Sequence, residues 1–135
     1  MRGILADINV EGQQTAIVSI WNSDVWREIW NGLGLSWESF DSLGLPEDSS
    51  DALIWRTCQR EKLVLITANR NAIGPDSLEV VIRAENQPDC VPVVTIANPD
   101  RVMRDRLYAE RVAERLLAEL TRIDEIRGIG RIYVP

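Results

Sequence analysis

The chain reads as an α/β protein, a three-layer α/β/α sandwich around a mainly parallel central sheet of about five strands. Short apolar runs rich in β-branched residues recur along it, as in Leu63-Val64-Leu65-Ile66-Thr67, and such runs mark strands buried on both faces. Helical patterns separate them, the alternation expected of a parallel sheet. With 135 residues and no internal repeat, linker or low-complexity segment, residues 1–135 form one domain, long enough to bury a core.

The first strand lies near 3–7, an apolar run that ends on Asp7. Ala16, Ile17, Ile20 and Trp21 have helical spacing and predict a helix from Gln13 to Trp21. Ser23 or Asp24 then caps a second helical piece through Trp30, closed by Gly32. Leu35 to Phe40 alternates as a strand, and Leu43 to Asp48 is a loop. Asp51 to Glu61 reads as a helix with Leu53, Ile54, Trp55 and Cys58 inward. After the central strand, 63–67, Asp76-Ser77-Leu78-Glu79 reads as a capping box, with an acid replacing the usual Ser or Thr, for a helix to about Asn86. The fourth strand is expected near 91–96. Asn98-Pro99-Asp100 starts the longest helix, whose Ala109, Ala113, Leu116, Leu120 and Ile123 step by four and three. Arg127-Gly128-Ile129-Gly130 turns the chain into a last strand, 131–134.

Composition narrows the chemistry. The chain has no histidine, which excludes His-based acid–base catalysis, Ser-His triads and His-ligated zinc. Cys58 and Cys90 form no metal or redox pattern and are expected to be buried structural thiols. No apolar run approaches the roughly 18 residues of a membrane span, and Asp7 and Glu11 follow Arg2 too soon for a signal peptide. A cytoplasmic protein with no membrane partner is the expectation. The net charge of −6 opposes a general polyanion-binding surface, but residues 101–135 carry 8 arginines against 6 acids. That third can guide a nucleic acid toward an acidic pocket, or simply form a solvated helix face with paired charges. Of five tryptophans, Trp21 and Trp55 suit a core. Trp26 and Trp30, one helical turn apart, suit a dimer surface or a base-stacking site.

Two buried strands that each end in oxygen-bearing side chains can converge on a hard cation beyond their carboxyl ends. Asp7 ends one. Asn69 and Asn71 follow the other, on the same side of an extended chain, and Asp51 at a helix start offers a third oxygen group. Each has a plainer reading: Asp51 beside Ser50 as a helix cap, and Ala68-Asn69-Arg70-Asn71 as a polar turn. Around them Thr67 can hold the asparagine loop through its hydroxyl. Asn9 is a turn residue on Asp7's side of the strand, and Arg70 either contacts a phosphate or neutralises local acids. Asp76 suits its helix start better than the pocket. The Arg127–Arg131 loop suits a tight turn better than a phosphate cradle.

The pairing of ILADINV with SDALIW and REKLVLITANRN resembles the PIN-like nuclease fold, in particular small stand-alone bacterial PIN-like proteins related to toxin–antitoxin ribonucleases. The motifs cover roughly the first half of the chain. By this resemblance Asp7 matches the family's first metal-binding acid and Asp51 its second, while the third and fourth acids fall on Asn69 and Asn71. It implies a ribonuclease that cleaves RNA phosphodiester bonds with metal-activated water. Asp7, Asp51, Asn69 and Asn71 would hold Mg2+ or Mn2+, and Arg70, Thr67 and Asn9 would meet the substrate. Two acids replaced by amides imply a weakly bound cation. The resemblance also implies a homodimer, an RNA substrate and an antitoxin-like protein partner. The alternative is a PIN-like module that binds RNA or a protein and has lost its chemistry.

Overall fold

A computed structural model describes residues 1–135. Strands β1 (Gly3–Ala6), β2 (Ser36–Glu38), β3 (Leu63–Thr67), β4 (Val93–Ile96) and β5 (Arg131–Val134) form one parallel sheet in the order β2-β1-β3-β4-β5. Six helices connect them: α1 (Glu11–Trp21), α2 (Arg27–Gly32), α3 (Asp51–Glu61), α4 (Leu78–Glu85), α5 (Pro99–Arg104) and α6 (Arg106–Thr121). This is the α/β sandwich that the sequence predicts. No helix is long and apolar enough to cross a membrane.

Every residue of β1, β3 and β4 is buried, so these strands need apolar side chains on both faces and show no polar alternation. Ile4, Ala6, Val64, Ile66 and Val94 pack with α1 and α6 on one side. Leu5, Leu63, Leu65 and Val93 pack with α3 and α4 on the other. Strand order reverses between β1 and β3, which pair in parallel with Ala6 beside Ile66. Asp7 therefore emerges next to the end of β3, at the crevice where doubly wound sheets bind ligands.

One connection departs from the usual rule. α4, between β3 and β4, lies on one face, whereas α5 and α6, between β4 and β5, lie on the other. The two crossovers step in the same direction across the sheet, so they have opposite hands. Together with the positions of α1 and α3, this makes β4–β5 the exception among connections that nearly always share one hand. In consequence no helix follows α4 over its side of β5.

Several local expectations are corrected. Ser23 and Asp24 do not cap α2, which starts at Arg27; the Ser23 hydroxyl donates back to the Ile20 carbonyl at 2.6 Å. Leu53 points outward, 43% exposed. β4 begins at Val93, because Pro92 has no N–H for the ladder. Cys90 is only half-buried. The tryptophans at 21, 30 and 37 form one cluster, with ring centroids 4.7, 5.7 and 6.2 Å apart, and Trp21 Nε1 donates to the Ala113 carbonyl at 3.0 Å. Trp30 thus turns into this cluster rather than forming a surface pair with Trp26.

The expected single long helix is two, divided at Asp105. That residue is extended (φ −129°, ψ 104°), and its carboxylate accepts from the Tyr108 N–H at 3.2 Å, capping α6. Asp105→Ala is expected to cost about 1 kcal/mol in urea denaturation, the usual effect of losing such a cap. An unchanged midpoint would mean that packing alone sets the break.

Candidate metal and nucleic-acid site

Asp7 follows β1, and its amide N–H donates to the Ile66 carbonyl at 2.8 Å, continuing the β1–β3 ladder by one residue. The side chain is held from two sides: the Ile8 N–H donates to Oδ1 and the Thr67 hydroxyl to Oδ2, both at 2.8 Å. Burial pushes the Asp7 carboxyl above its ordinary pKa of 3.8, and the nearby charge of Asp51 adds to this, against the two hydrogen bonds that lower it. The Cys58 thiol lies within the field of Asp7 and is pushed by burial up to about 12, so it is an inert core group.

Asp51 reaches the same crevice from the first residue of α3. The capping duty falls to Ser50, whose hydroxyl accepts from the Leu53 N–H at 3.1 Å, and this frees the Asp51 carboxylate. Asp51 Oδ2 accepts from Asn69 Nδ2 at 2.9 Å and from the Leu78 N–H at 3.0 Å. The second contact corrects the capping-box reading of Asp76 to Glu79. Ser77 is the N-cap of α4 but makes no cap hydrogen bond, and Asp51 supplies the acceptor from another helix. A carboxylate there also meets the positive end of the α4 dipole. Asp76 is exposed and takes no part in the pocket's hydrogen bonds.

The asparagines have a different task from the oxygen ligands expected. Asn69 Oδ1 accepts from the Asn71 N–H at 2.7 Å, which fixes the amide so that its nitrogen faces Asp51. Asn71 Oδ1 accepts from the Ile73 N–H at 3.1 Å, a local turn that keeps this exposed side chain out of the crevice. The structure therefore brings Asp7, Asp51, Thr67 and Asn69 together and leaves Asn71 outside. Thr67 holds the loop as expected, its Oγ1 accepting from the Asn69 N–H at 3.0 Å. Asn9 braces the opposite rim through a long contact, 3.4 Å, from the Ala68 N–H to its Oδ1.

Arg70 arches over the sheet end. Its Nη2 donates to the Ala97 carbonyl at 2.7 Å, and the guanidinium lies 5.3 Å from the centroid of the Tyr133 ring. Arg131, outside the site expected from the sequence, completes the frame. Arg131 Nη1 donates to the Asn69 carbonyl at 2.6 Å and to Thr95 Oγ1 at 2.7 Å, and its Nη2 lies 3.0 Å from Glu79 Oε2. An arginine inside a predicted strand, next to a glycine turn, was the available signal. Gly128 and Gly130 have φ of +84° and +89°, and a Cβ on Gly128 would meet the Pro88 carbonyl oxygen at 2.8 Å. The Arg127–Arg131 loop is a tight turn.

Compared with family models, with curated proteins and with solved structures, the chain matches none.

The donor set fits a hard cation in part. None of the chain's ion pairs includes Asp7 or Asp51, so two neighbouring carboxylates stand without a cationic partner. With no thiolate or imidazole available, such an oxygen set suits Mg2+ or Mn2+. No group of three acids converges anywhere in the chain, so the protein offers two charges and the remaining positions would fall to water or substrate.

Proposed function

We propose that the chain is a metal-dependent ribonuclease of PIN-like type, with one weakly held Mg2+ or Mn2+ at Asp7 and Asp51. The observation that carries this reading is geometric: at the β1–β3 switch point Asp7 is held by Thr67, Asp51 is held by Asn69 two residues on, and no arginine or lysine pairs with either carboxylate. Bound there, the cation supplies Lewis acidity toward a phosphodiester and eases deprotonation of the attacking water. The chain's own residues prepare the place. The Ile8 N–H and the Thr67 hydroxyl each occupy one Asp7 oxygen and fix the carboxylate plane. The Leu78 N–H and Asn69 Nδ2 both take Asp51 Oδ2, leaving Oδ1 without a protein donor. Arg70, next to Asn69 in sequence, holds its charge at the carboxyl edge of the sheet, against the Ala97 carbonyl and the Tyr133 ring. RNA phosphate oxygens would complete the coordination, so cation and substrate would each bind more tightly in the presence of the other.

A second reading rests on the Asn69 amide. Its N–H occupies an Asp51 oxygen where a nuclease of this type would carry another acid, and this favours a module that binds RNA or a protein without cutting. Incubating end-labelled single-stranded RNA with the native chain in MnCl2 and in EDTA separates the two. Fragments that require manganese are expected. Intact RNA with every divalent cation tried would leave the binding module.

A further inference from the structure

We propose that the groove between α4 and β5 is a subsite for an unpaired nucleotide of the RNA whose scissile phosphate lies at Asp7 and Asp51; its position along the strand rests on the ribonuclease reading. The groove has a volume of about 430 Å³ and is lined by Glu79, Arg83, Asn86, Ile129, Arg131 and Tyr133. It exists because the β4–β5 crossover runs over the opposite face, so the α4 side of β5 lacks a covering helix. Ile132 and Val134, on the covered face, pack against the core, whereas Arg131 and Tyr133 face the groove.

Three features fit a nucleotide. Tyr133 and Ile129 are 50% and 56% exposed, a large apolar area at the mouth of a polar groove, and an exposed aromatic ring is a platform for an unstacked base. Two guanidinium groups of the lining, Arg83 and Arg131, stand against one carboxylate, Glu79, and Arg70 lies beside the Tyr133 ring, so the groove is locally cationic in a chain of net charge −6. Arg83 is free to turn outward: its side chain is 73% exposed, and its one ion-pair contact, to Glu79, is long at 3.9 Å. Arg131 lends its charge from the groove wall: its side chain is 6% exposed, and Nη2 lies 3.0 Å from Glu79 Oε2.

Hydrogen bonds link the wall of the groove to the acidic crevice. Arg131 holds the Asn69 carbonyl, and Asn69 holds Asp51. Along the carboxyl edge of the sheet, Asp7 on β1 and Tyr133 on β5 are three strand spacings apart, about 14 Å, within reach of a short single strand. Arg70 arches between them over the end of β4.

Fluorescence anisotropy of a short fluorescein-labelled single-stranded RNA, titrated with the full chain in EDTA at low salt, tests the groove without cleavage. Tyr133→Ala and Arg83→Ala are each expected to raise Kd about tenfold, the scale of a lost base stack or phosphate contact. Tyr133→Phe should keep the native affinity, and the same sequence as a duplex should bind more weakly than the single strand. Both side chains are exposed, so the variants should melt with the native protein. Unchanged affinity in either alanine variant, a Tyr133→Phe loss as large as alanine's, equal binding of single strand and duplex, or no binding by the native chain would overturn the subsite. A native chain that binds in the expected pattern but cuts nothing with manganese keeps the subsite and sinks the nuclease reading instead.

Discussion

Replacing Asp7 by asparagine is expected to end metal-dependent cleavage and, without metal, to favour the fold increasingly as pH rises. The amide keeps the shape of the side chain but removes one of the two charges available to a cation. Losing several kcal/mol of charge stabilisation corresponds to a fall in rate of at least about 10³, and the heat of manganese binding should disappear in calorimetry. The stability effect follows from the raised pKa. In the folded chain Asp7 holds its proton more tightly than in the unfolded chain, where the ordinary value of 3.8 applies. Below that pH both states are protonated and the stabilising effect is fully present. As pH rises through the raised folded value, ionising the buried carboxylate costs the fold and that stability is lost. Asparagine does not ionise. In EDTA, the Tm of Asp7→Asn minus that of the native chain should therefore grow more positive from about pH 3 to pH 7. Parallel curves would show that Asp7 does not titrate as a buried acid, and undiminished cleavage would remove it from the metal site.

Asn69→Asp should have the opposite sign on metal binding. It replaces the Asn69 Nδ2–Asp51 hydrogen bond of 2.9 Å with two like charges at close range. A pair of unit charges about 4 Å apart interacts by about 4 kcal/mol at an effective dielectric near 20, before desolvation is subtracted. Without metal the variant should lose about 2 kcal/mol, or about 8 °C in Tm. With a divalent cation the same charge becomes attractive, and manganese affinity should rise at least about tenfold. Asn71→Asp, by contrast, should do little, because the Asn71 side chain is engaged with the Ile73 N–H. Calorimetric titration with MnCl2 and melting with and without the ion read both effects. Equal manganese affinity in native and Asn69→Asp proteins would place residue 69 away from the cation, and an equal effect from Asn71→Asp would show that the turn rearranges.

The two variants also explain why the candidate site could be located in the sequence more readily than its chemistry. Asp7, Thr67 and Asn69 sit at the ends of runs whose burial the sequence makes plain, and ladder pairing of β1 with β3 brings such ends together. What each amide does there depends on orientation. Asn69 faces Asp51 with nitrogen because a backbone N–H two residues on claims its oxygen, and Asn71 turns away for the same kind of local bond. Those choices follow from the loop's path, which no residue spacing records.

The sequence by itself determined the sheet and its layers. Continuous apolar runs must be buried on both faces, so β1, β3 and β4 could be recognised, and the intervening helical periods supply the two outer layers. It also excluded histidine chemistry, since the chain contains no histidine. Tertiary structure alone decided which end group does what. Asp51 could serve the crevice only because Ser50 took the cap, and it then capped α4 across the site. Trp30 joined Trp21 and Trp37 because β2, pairing beside β1, completed their cluster. Arg131 reached Asn69 from 62 positions away, and the hand of the β4–β5 crossover left its groove open. Periodicity reports which side of an element is buried. It carries no information on which distant element lies opposite, and the partners of these polar groups are set by that.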